Sequence, residues 1–196
     1  MTSKLQPKNS ELKIITRCAW VSKDKIYQDY HDHEWGIPLH DDAKLFELLV
    51  LETFQAGLTW LIVLKKRENF RKAFDRFDAK KIARYDQGKI DQLLGNEGII
   101  RNKLKINATI GNAKAFLEVR KEFGTFDKYI WQFTAYQPLR NARKNIKEIP
   151  ASTPISDTMS KDLKKRGFKF IGTTICYAFM QAAGMVNDHM IDCWKI

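Results

Sequence analysis

Apolar residues recur along this chain at three- and four-residue intervals, and strict apolar–polar alternation is scarce. In "DDAKLFELLVLETF" (41–54), Leu45, Leu48, Leu49 and Glu52 fall at helical spacing behind an acidic start that suits the positive end of a helix. "TWLIVLKKRENFRKAFDRF" (59–77) sets Leu61, Leu64, Phe70, Phe74 and Phe77 roughly on one side and predicts a second helix. "NKLKINATIGNAKAFLEVRKEF" (102–123) predicts a longer one, with Ile106, Ile110, Ala113 and Leu117 on its core face. "TFDKYIWQF", "SKDLKKRGF" and "GTTICYAFMQAAGM" complete the set. With so few β-branched alternating runs, the pattern predicts an all-α protein.

The interruptions are informative too. "QAGLTW" (55–60) separates the first two helices at Gly57. "LLGNEGIIRNKLKI" (93–106) puts Gly95 and Gly98 between a short helix and a long one, with Arg101, Lys103 and Lys105 at the start of the latter. Free backbone N–H groups beside such cations form a seat for a phosphate. An ordinary connection with solvated charges is the other reading. "ASTPIS" (151–156) reads as a surface turn and a lobe boundary.

A length of 196 residues bounds one domain, or two small lobes sharing a cleft, and 44% hydrophobic residues suffice for a real core. No apolar run approaches the roughly 20 residues that span a bilayer. The opening "MTSKLQPKNSELKI" lacks the apolar centre of a secretory signal, so a soluble cytoplasmic protein with a frayed first dozen residues is expected. Thirty-four Lys and Arg against 23 Asp and Glu leave a formal charge of +11. That sign favours polyanions, nucleic acid first and an anionic membrane surface second, although basic proteins without such partners also exist. "SKDLKKRGFKF" gathers Lys161, Lys164, Lys165, Arg166 and Lys169, either as a solvated helix face or as phosphate contacts.

Three cysteines cannot all pair, and Cys176, inside an apolar helical run, reads as a small buried hydrophobe. "HMIDC" spaces His189 and Cys193 four apart, one turn apart on a helix that Asn187 and Asp188 can cap. Cys18 and a histidine of "HDH", His31 or His33, would complete a tetrahedral Cys2His2 zinc set tying the chain ends together. Satisfied polar residues and inert thiols are the alternative. Trp20, Tyr27, Tyr30, Trp35 and Trp60 concentrate in the first third of the chain. Core packing is the default for large aromatics, but rings interleaved with Asp, His and Glu also suit a pocket that stacks a flat ligand. Glu52 interrupts apolar neighbours, where a carboxylate needs a partner, a ligand or a wetted helix edge.

Taken together, the blocks "RCAWVSKDKIYQDYHDHEWG", "LFELLVLETFQAGLTWLIVLKKRENF", "GIIRNKLKI" and "SKDLKKRGFKFIGTTICYAFMQAAGMVNDH" resemble the DNA-3-methyladenine glycosylase I family of bacterial alkylation repair. They run from Arg17 nearly to the C-terminus, in the family's order and spacing. The resemblance implies a helix-hairpin-helix DNA glycosylase fold, two helical lobes with the base pocket between them. It puts the hairpin on "GNEGIIRN", zinc ligands on Cys18, His31, His189 and Cys193, and the base-recognition carboxylate on Glu52. The aromatic pocket falls on Trp20, Tyr27, Tyr30, Trp35 and Trp60. Gly57 and Leu58 fall where the family presses on the gap left by the flipped nucleotide, and Gly98, Arg101, Lys103, Lys164, Lys165 and Arg166 are the other expected DNA contacts.

Departures accompany the match. His33 stands where an asparagine is expected, and Thr53 and Phe54 replace a common glycine and glutamine beside Glu52. Residues 1–16 form an extension without family features, followed by a glycosylase domain over 17–196. The sequence stops three residues after Cys193, which would let a zinc helix fray.

The implied activity is monofunctional excision of 3-methyladenine from double-stranded DNA by a nucleoid-associated monomer, leaving an abasic site for a downstream endonuclease. Methylation at N3 makes the base cationic and a good leaving group, so flipping and holding it matter more than protonating it. No Schiff-base lysine is indicated, and neither Asp127 nor Asp157 is assignable as a base for water. A non-catalytic zinc- and DNA-binding protein of the same fold is the runner-up. A basic adaptor or RNA-binding module, which would not need Glu52, is a third class.

Overall fold

A computed structural model describes residues 15–196. Helix α1 (Lys25–His33) leads into α2 (Asp42–Gln55) and α3 (Trp60–Ala73). Two short helices, α4 (Ala79–Ile82) and α5 (Gln87–Gly95), precede the long α6 (Lys103–Phe123) and α7 (Phe126–Trp131). After an irregular stretch, α8 (Pro154–Lys165) and α9 (Thr173–Ala182) finish the helical part. The two-residue strands β1 (Leu139–Arg140) and β2 (Val186–Asn187) pair in parallel, the only sheet among the described residues. The architecture is mostly helical, as the periodicity predicts.

Polar residues start the helices where the sequence supplies them. The Asp41 carboxylate accepts from the Lys44 N–H at 2.8 Å, and Asp86 and Asn102 cap α5 and α6 in the same way. Thr153 and Ser156 form a reciprocal capping box around Pro154, so "ASTPIS" is the start of α8. The predicted core faces are where expected: Leu45, Leu49, Ile106, Ile110 and Ala113 are buried, while Leu48 and Leu117 are partly so.

Two expectations are corrected. The helix expected over 59–77 ends at Ala73, and Asp75, Arg76 and Phe77 form a 3-10 turn with positive φ. Phe74 and Phe77 still reach the core, because the turn redirects the chain before α4. His189 to Cys193 is not helical. The segment follows β2 as an extended bridge, with Met190 beside Arg143, and then turns. The β1 strand recruits this backbone, and the Asn187 side chain accepts from the His189 N–H at 3.0 Å instead of capping a helix. A helix that could fray is therefore absent there. The expected extension over residues 1–16 lies largely outside the described residues; within them, the carbonyl of Thr16 accepts from the Trp194 N–H at 3.0 Å.

Buried apolar side chains form one contiguous cluster running from Cys18 to Cys193. A close approach fixes the site's geometry. Gly184, at φ 69°, lies so near the Ile37 carbonyl that a Cβ would meet it at 2.4 Å, and only glycine fits. The Gly36 N–H donates to the Gln181 carbonyl and the Leu39 N–H to that of Ala183, both at 3.0 Å. These bonds hold the segment after α1 against the end of α9.

Candidate active site and metal centre

A cavity of about 310 Å³ opens between α1, α2, the start of α3 and the face of α9. Trp20, Tyr27, Tyr30, Trp35 and Trp60 all line it, with Glu52 among them, so the five aromatics and the carboxylate singled out in the sequence share one wall. Trp20 packs on Tyr27 and Trp35, with ring centroids 5.1 and 4.9 Å apart, and Tyr30 on Trp60 at 5.4 Å.

Three polar groups on residues lining this cavity are unsatisfied. Glu52 Oε2, Trp20 Nε1 and Trp60 Nε1 are enclosed without hydrogen-bond partners, and among the described residues no other buried side-chain polar atom shares that condition. Leaving such groups unpaired costs on the order of 1–3 kcal/mol each, so a fold that leaves three in one cavity is arranged for a ligand with both acceptors and donors. Burial pushes the Glu52 carboxyl up to about 8. Burial and the Glu52 charge raise Tyr27 and, further, Tyr30. A cation entering the cavity would draw Glu52 back to its charged form.

Glu52 is only 2% exposed, which removes the wetted-edge reading. Thr53 and Phe54 do not line the cavity. The Thr53 hydroxyl donates to the Leu49 carbonyl at 3.0 Å, and Phe54 packs against Phe70 and Phe74 in the core. The departures beside Glu52 therefore lie behind the site. Gln55, Ile146, Ile149, Ala178 and Gln181 complete the lining and were not anticipated from sequence. Ala178 and Gln181 lie three apart on α9, a spacing that groups them on one face, but nothing local says what that face meets.

Against the back of Trp20 and Trp35 stand Cys18, His31, His189 and Cys193, all buried, with one donor atom from each lying within 4.8 Å of the others. The Cys18 sulfur is 3.5 Å from His189 Nδ1, and the Cys193 sulfur is 3.4 Å from His31 Nε2 and 3.6 Å from His189 Nδ1. The outward ring nitrogens are engaged. His31 Nδ1 meets the Asp32 carboxylate at 2.8 Å, which Arg17 in turn grips, and His189 Nε2 meets the Trp35 carbonyl at 3.2 Å. Two thiols and two imidazoles with oriented outer shells are a donor set for a metal ion. Burial, with a smaller contribution from Cys193, pushes the Cys18 thiol up to about 12; burial lowers both histidines, that of His189, beside His31, to about 4. His33 is exposed and borders another cleft, so of the two histidines of "HDH" it is His31 that joins this cluster.

A larger cleft, about 760 Å³, lies on the other side of Tyr30 and Trp60 and takes in His33. Its Arg67 and Arg71 are paired with Glu34 and Glu47, and Trp60 borders it, but neither Glu52 nor Trp20 does. Size does not make it the site.

The expected DNA contacts divide. Gly57, at φ 81°, and the exposed Leu58 form a turn directly after the helix that carries Glu52. Residues 96–102 join α5 to α6, with Gly98 packed against Asn69 and with Arg101 and Lys103 exposed. Lys105 is not part of a phosphate seat. It is buried, and its ammonium donates to the Phe54 and Ala56 carbonyls at 2.8 and 2.6 Å. Lys164 and Lys165 are exposed, but Arg166 is committed internally. Its guanidinium pairs with Glu122 and Asp162 and lies over Phe123 and Tyr129, so it offers no free charge to a partner.

A flat aromatic cavity with an enclosed carboxyl, on a helical scaffold with a basic surface, defines a protein that takes a planar, cationic ligand. The methyladenine glycosylase family model matches residues 20–196, and the chain belongs to that family. It is 51% identical to DNA-3-methyladenine glycosylase 1 of Escherichia coli, over 91% of this chain and 96% of that one. It is 50% identical to the DNA-3-methyladenine glycosylase of Haemophilus influenzae, over 92% and 97%. Its fold matches a crystal structure of 3-methyladenine DNA glycosylase I with a TM-score of 0.90 at 51% identity, covering 91% of this chain and 98% of that one. A variant of 3-methyladenine DNA glycosylase I, 35% identical and solved in complex with 3-methyladenine, superposes with a TM-score of 0.88 over 91% and 96%.

Proposed function

We propose that this protein is a monofunctional DNA glycosylase that flips 3-methyladenine out of alkylated duplex DNA and hydrolyses its N-glycosidic bond. One observation carries the reading. The three enclosed side-chain polar groups without partners, one carboxyl and two indole N–H groups, all belong to residues that line one aromatic cavity. A purine offers ring nitrogens to the indoles, and its exocyclic amine is a donor for Glu52. The relatives' names and the base-bound neighbour support the same choice.

Catalysis on this reading is capture of a cation. The methylated base is already a good leaving group, so the protein has to extract it, stack it and complement its charge. Stacking on electron-rich rings contributes roughly 0.5–2 kcal/mol per favourable contact. Glu52 ionises as the cationic base enters, and neutral adenine lacks the charge that would drive that ionisation. The turn at Gly57 and Leu58 fills the gap in the duplex. Residues 95–102 between α5 and α6 serve as the hairpin of a two-lobed helix-hairpin-helix fold, contacting phosphates through Gly98, Arg101 and Lys103, with Lys164 and Lys165 adding charge. Arg166 is withdrawn from the contact set. Strand cleavage is left to a separate abasic-site endonuclease, and the enzyme acts as a cytoplasmic monomer in which residues 17–196 form the catalytic domain.

Cys18, His31, His189 and Cys193 would hold one structural zinc. Zinc–sulfur bonds of about 2.3 Å and zinc–nitrogen bonds of about 2.0–2.1 Å at tetrahedral angles separate sulfur from nitrogen by roughly 3.6 Å. The distances of 3.4 to 3.6 Å between the sulfurs and the facing nitrogens fit that edge. The ion would supply a cross-link between the chain ends behind Trp20 and Trp35 and no step of the reaction.

The test is release of free 3-methyladenine from methylated duplex DNA. Release without strand scission in the absence of heat, alkali or endonuclease is expected. DNA binding with no release at any enzyme concentration would leave a non-catalytic DNA-binding protein instead.

A further inference from the structure

Gln181 lines the cavity together with Glu52, and it is the one lining amide whose orientation is fixed by a buried charge. Its Nε2 donates at 2.8 Å to Oδ2 of Asp188, which is wholly buried. Asp188 accepts on both oxygens: from Tyr177 at 2.5 Å beside Gln181, and from Asn141 at 2.8 Å and Arg143 at 3.2 Å on the other. The Arg143 guanidinium, the Asn141 amide N–H and the Tyr177 hydroxyl all donate to this carboxyl group, and the amide nitrogen of Gln181 faces it as a fourth donor. A flipped amide would set oxygen against oxygen in a buried site. The carbonyl oxygen is then the uncommitted end of a side chain that borders the cavity. We propose that Gln181 is a specificity-determining residue of the base pocket, whose locked carbonyl oxygen accepts a hydrogen bond from the exocyclic amine of the bound purine and rejects a base bearing a carbonyl there.

This rests on the glycosylase reading and deepens it. Glu52 cannot supply the same discrimination, because a carboxyl that changes protonation can donate or accept. Gln181 has no such freedom, and the fixed acceptor faces a 6-oxo purine with two oxygens and no proton between them. A site built around a committed polar group discriminates strongly against a ligand that leaves the group unpaired, whereas an apolar wall of the same shape does not. The locking group lies one residue before His189, in the segment that carries two of the metal-binding side chains. The same turn therefore places the metal centre and sets the polarity of the pocket.

The experiment measures release of 3-methyladenine and of 3-methylguanine from the same methylated duplex by wild type, Gln181→Met and Asp188→Asn. Methionine keeps the length of the side chain and removes its acceptor. Gln181→Met should lose about tenfold or more of its activity on 3-methyladenine and little on 3-methylguanine, so the ratio between the two falls. Asp188→Asn supplies an N–H that lets the Gln181 amide turn over, and it should shift the ratio the same way. Equal losses on both bases in Gln181→Met, or an unchanged ratio, would overturn the assignment while leaving the glycosylase reading intact. Failure of the wild type to release either base would instead overturn that reading. Fluorescence binding of free 3-methyladenine by Gln181→Met confirms an intact pocket, and a variant that binds the base as wild type does and keeps its full excision rate also refutes the proposal.

Discussion

The two faces of the Trp20–Trp35 wall make opposite use of buried polarity. Behind it, every metal-site imidazole has its outward nitrogen bonded, and four donors converge on one point. In front of it, an acid and two indole N–H groups are enclosed with nothing to bond. The first arrangement is a donor set that an ion would complete, and it gains by being permanent. The second is held open for a ligand that must come and go, and the fold tolerates the cost. Sharing one wall, with Trp20 at 5.3 Å from the His31 ring and Trp35 at 4.6 Å from that of His189, the rigid side positions the adaptable one.

The contrast is broken most severely from the rigid side. A Cys18→Ser, Cys193→Ser double variant should bind none of the one zinc equivalent expected per chain. It should lose several kcal/mol of stability, a fall in melting temperature of about 10 °C or more. Full metal content in that variant would refute the ligand set. On the open side, Glu52→Gln should lower excision about 100-fold or more, yet raise stability at neutral pH. The carboxyl goes from an ordinary 4.5 to about 8 on folding. Below pH 4.5 it is protonated in both states and costs nothing; above, only the unfolded chain gains by ionising. Stability contributed by the protonated group is thus lost as pH rises, up to about 8, and at pH 7 glutamine should recover roughly 3 kcal/mol. Denaturant melts of both proteins at pH 4 and pH 7 check this, since the difference should vanish at the lower pH. In the wild type, binding of the cationic nucleotide should strengthen as pH rises toward 8 and level off above it, and Glu52→Gln should show no such slope.

A smaller effect is expected at the edge of the pocket. Lys105 fastens the two carbonyls before the Gly57 turn to the start of α6. Lys105→Met should bind free base normally but excise from duplex about tenfold more slowly, with the loss reduced when the lesion lies opposite a mismatch that eases flipping. Unchanged excision would mean that the turn needs no anchor. Least of all, Lys164→Ala should lower the salt dependence of DNA binding by roughly one in slope. Arg166→Ala should leave that slope alone and cost stability instead, through loss of its pairs with Glu122 and Asp162.

Charge, composition and periodicity in the sequence sufficed to define a helical, basic protein, and with the long blocks of resemblance they picked out Glu52, the five aromatics and the four metal-site donors. Helical periodicity is a local property, set by which face of each segment must leave water, so it is legible without knowing the partners. Pairing is not local. The positive-φ turn after Ala73, the extended backbone at His189 and the internal commitment of Lys105 and Arg166 arise from contacts with distant segments. The same holds for the burial of Thr53 and Phe54 behind the site and for the orientation of Gln181 by Asp188. The sequence by itself singled out Glu52, the five aromatics and the four Cys and His donors as candidates. Only the tertiary structure decided which of them remain unsatisfied, because a buried polar group is free or bonded according to what the rest of the chain places beside it.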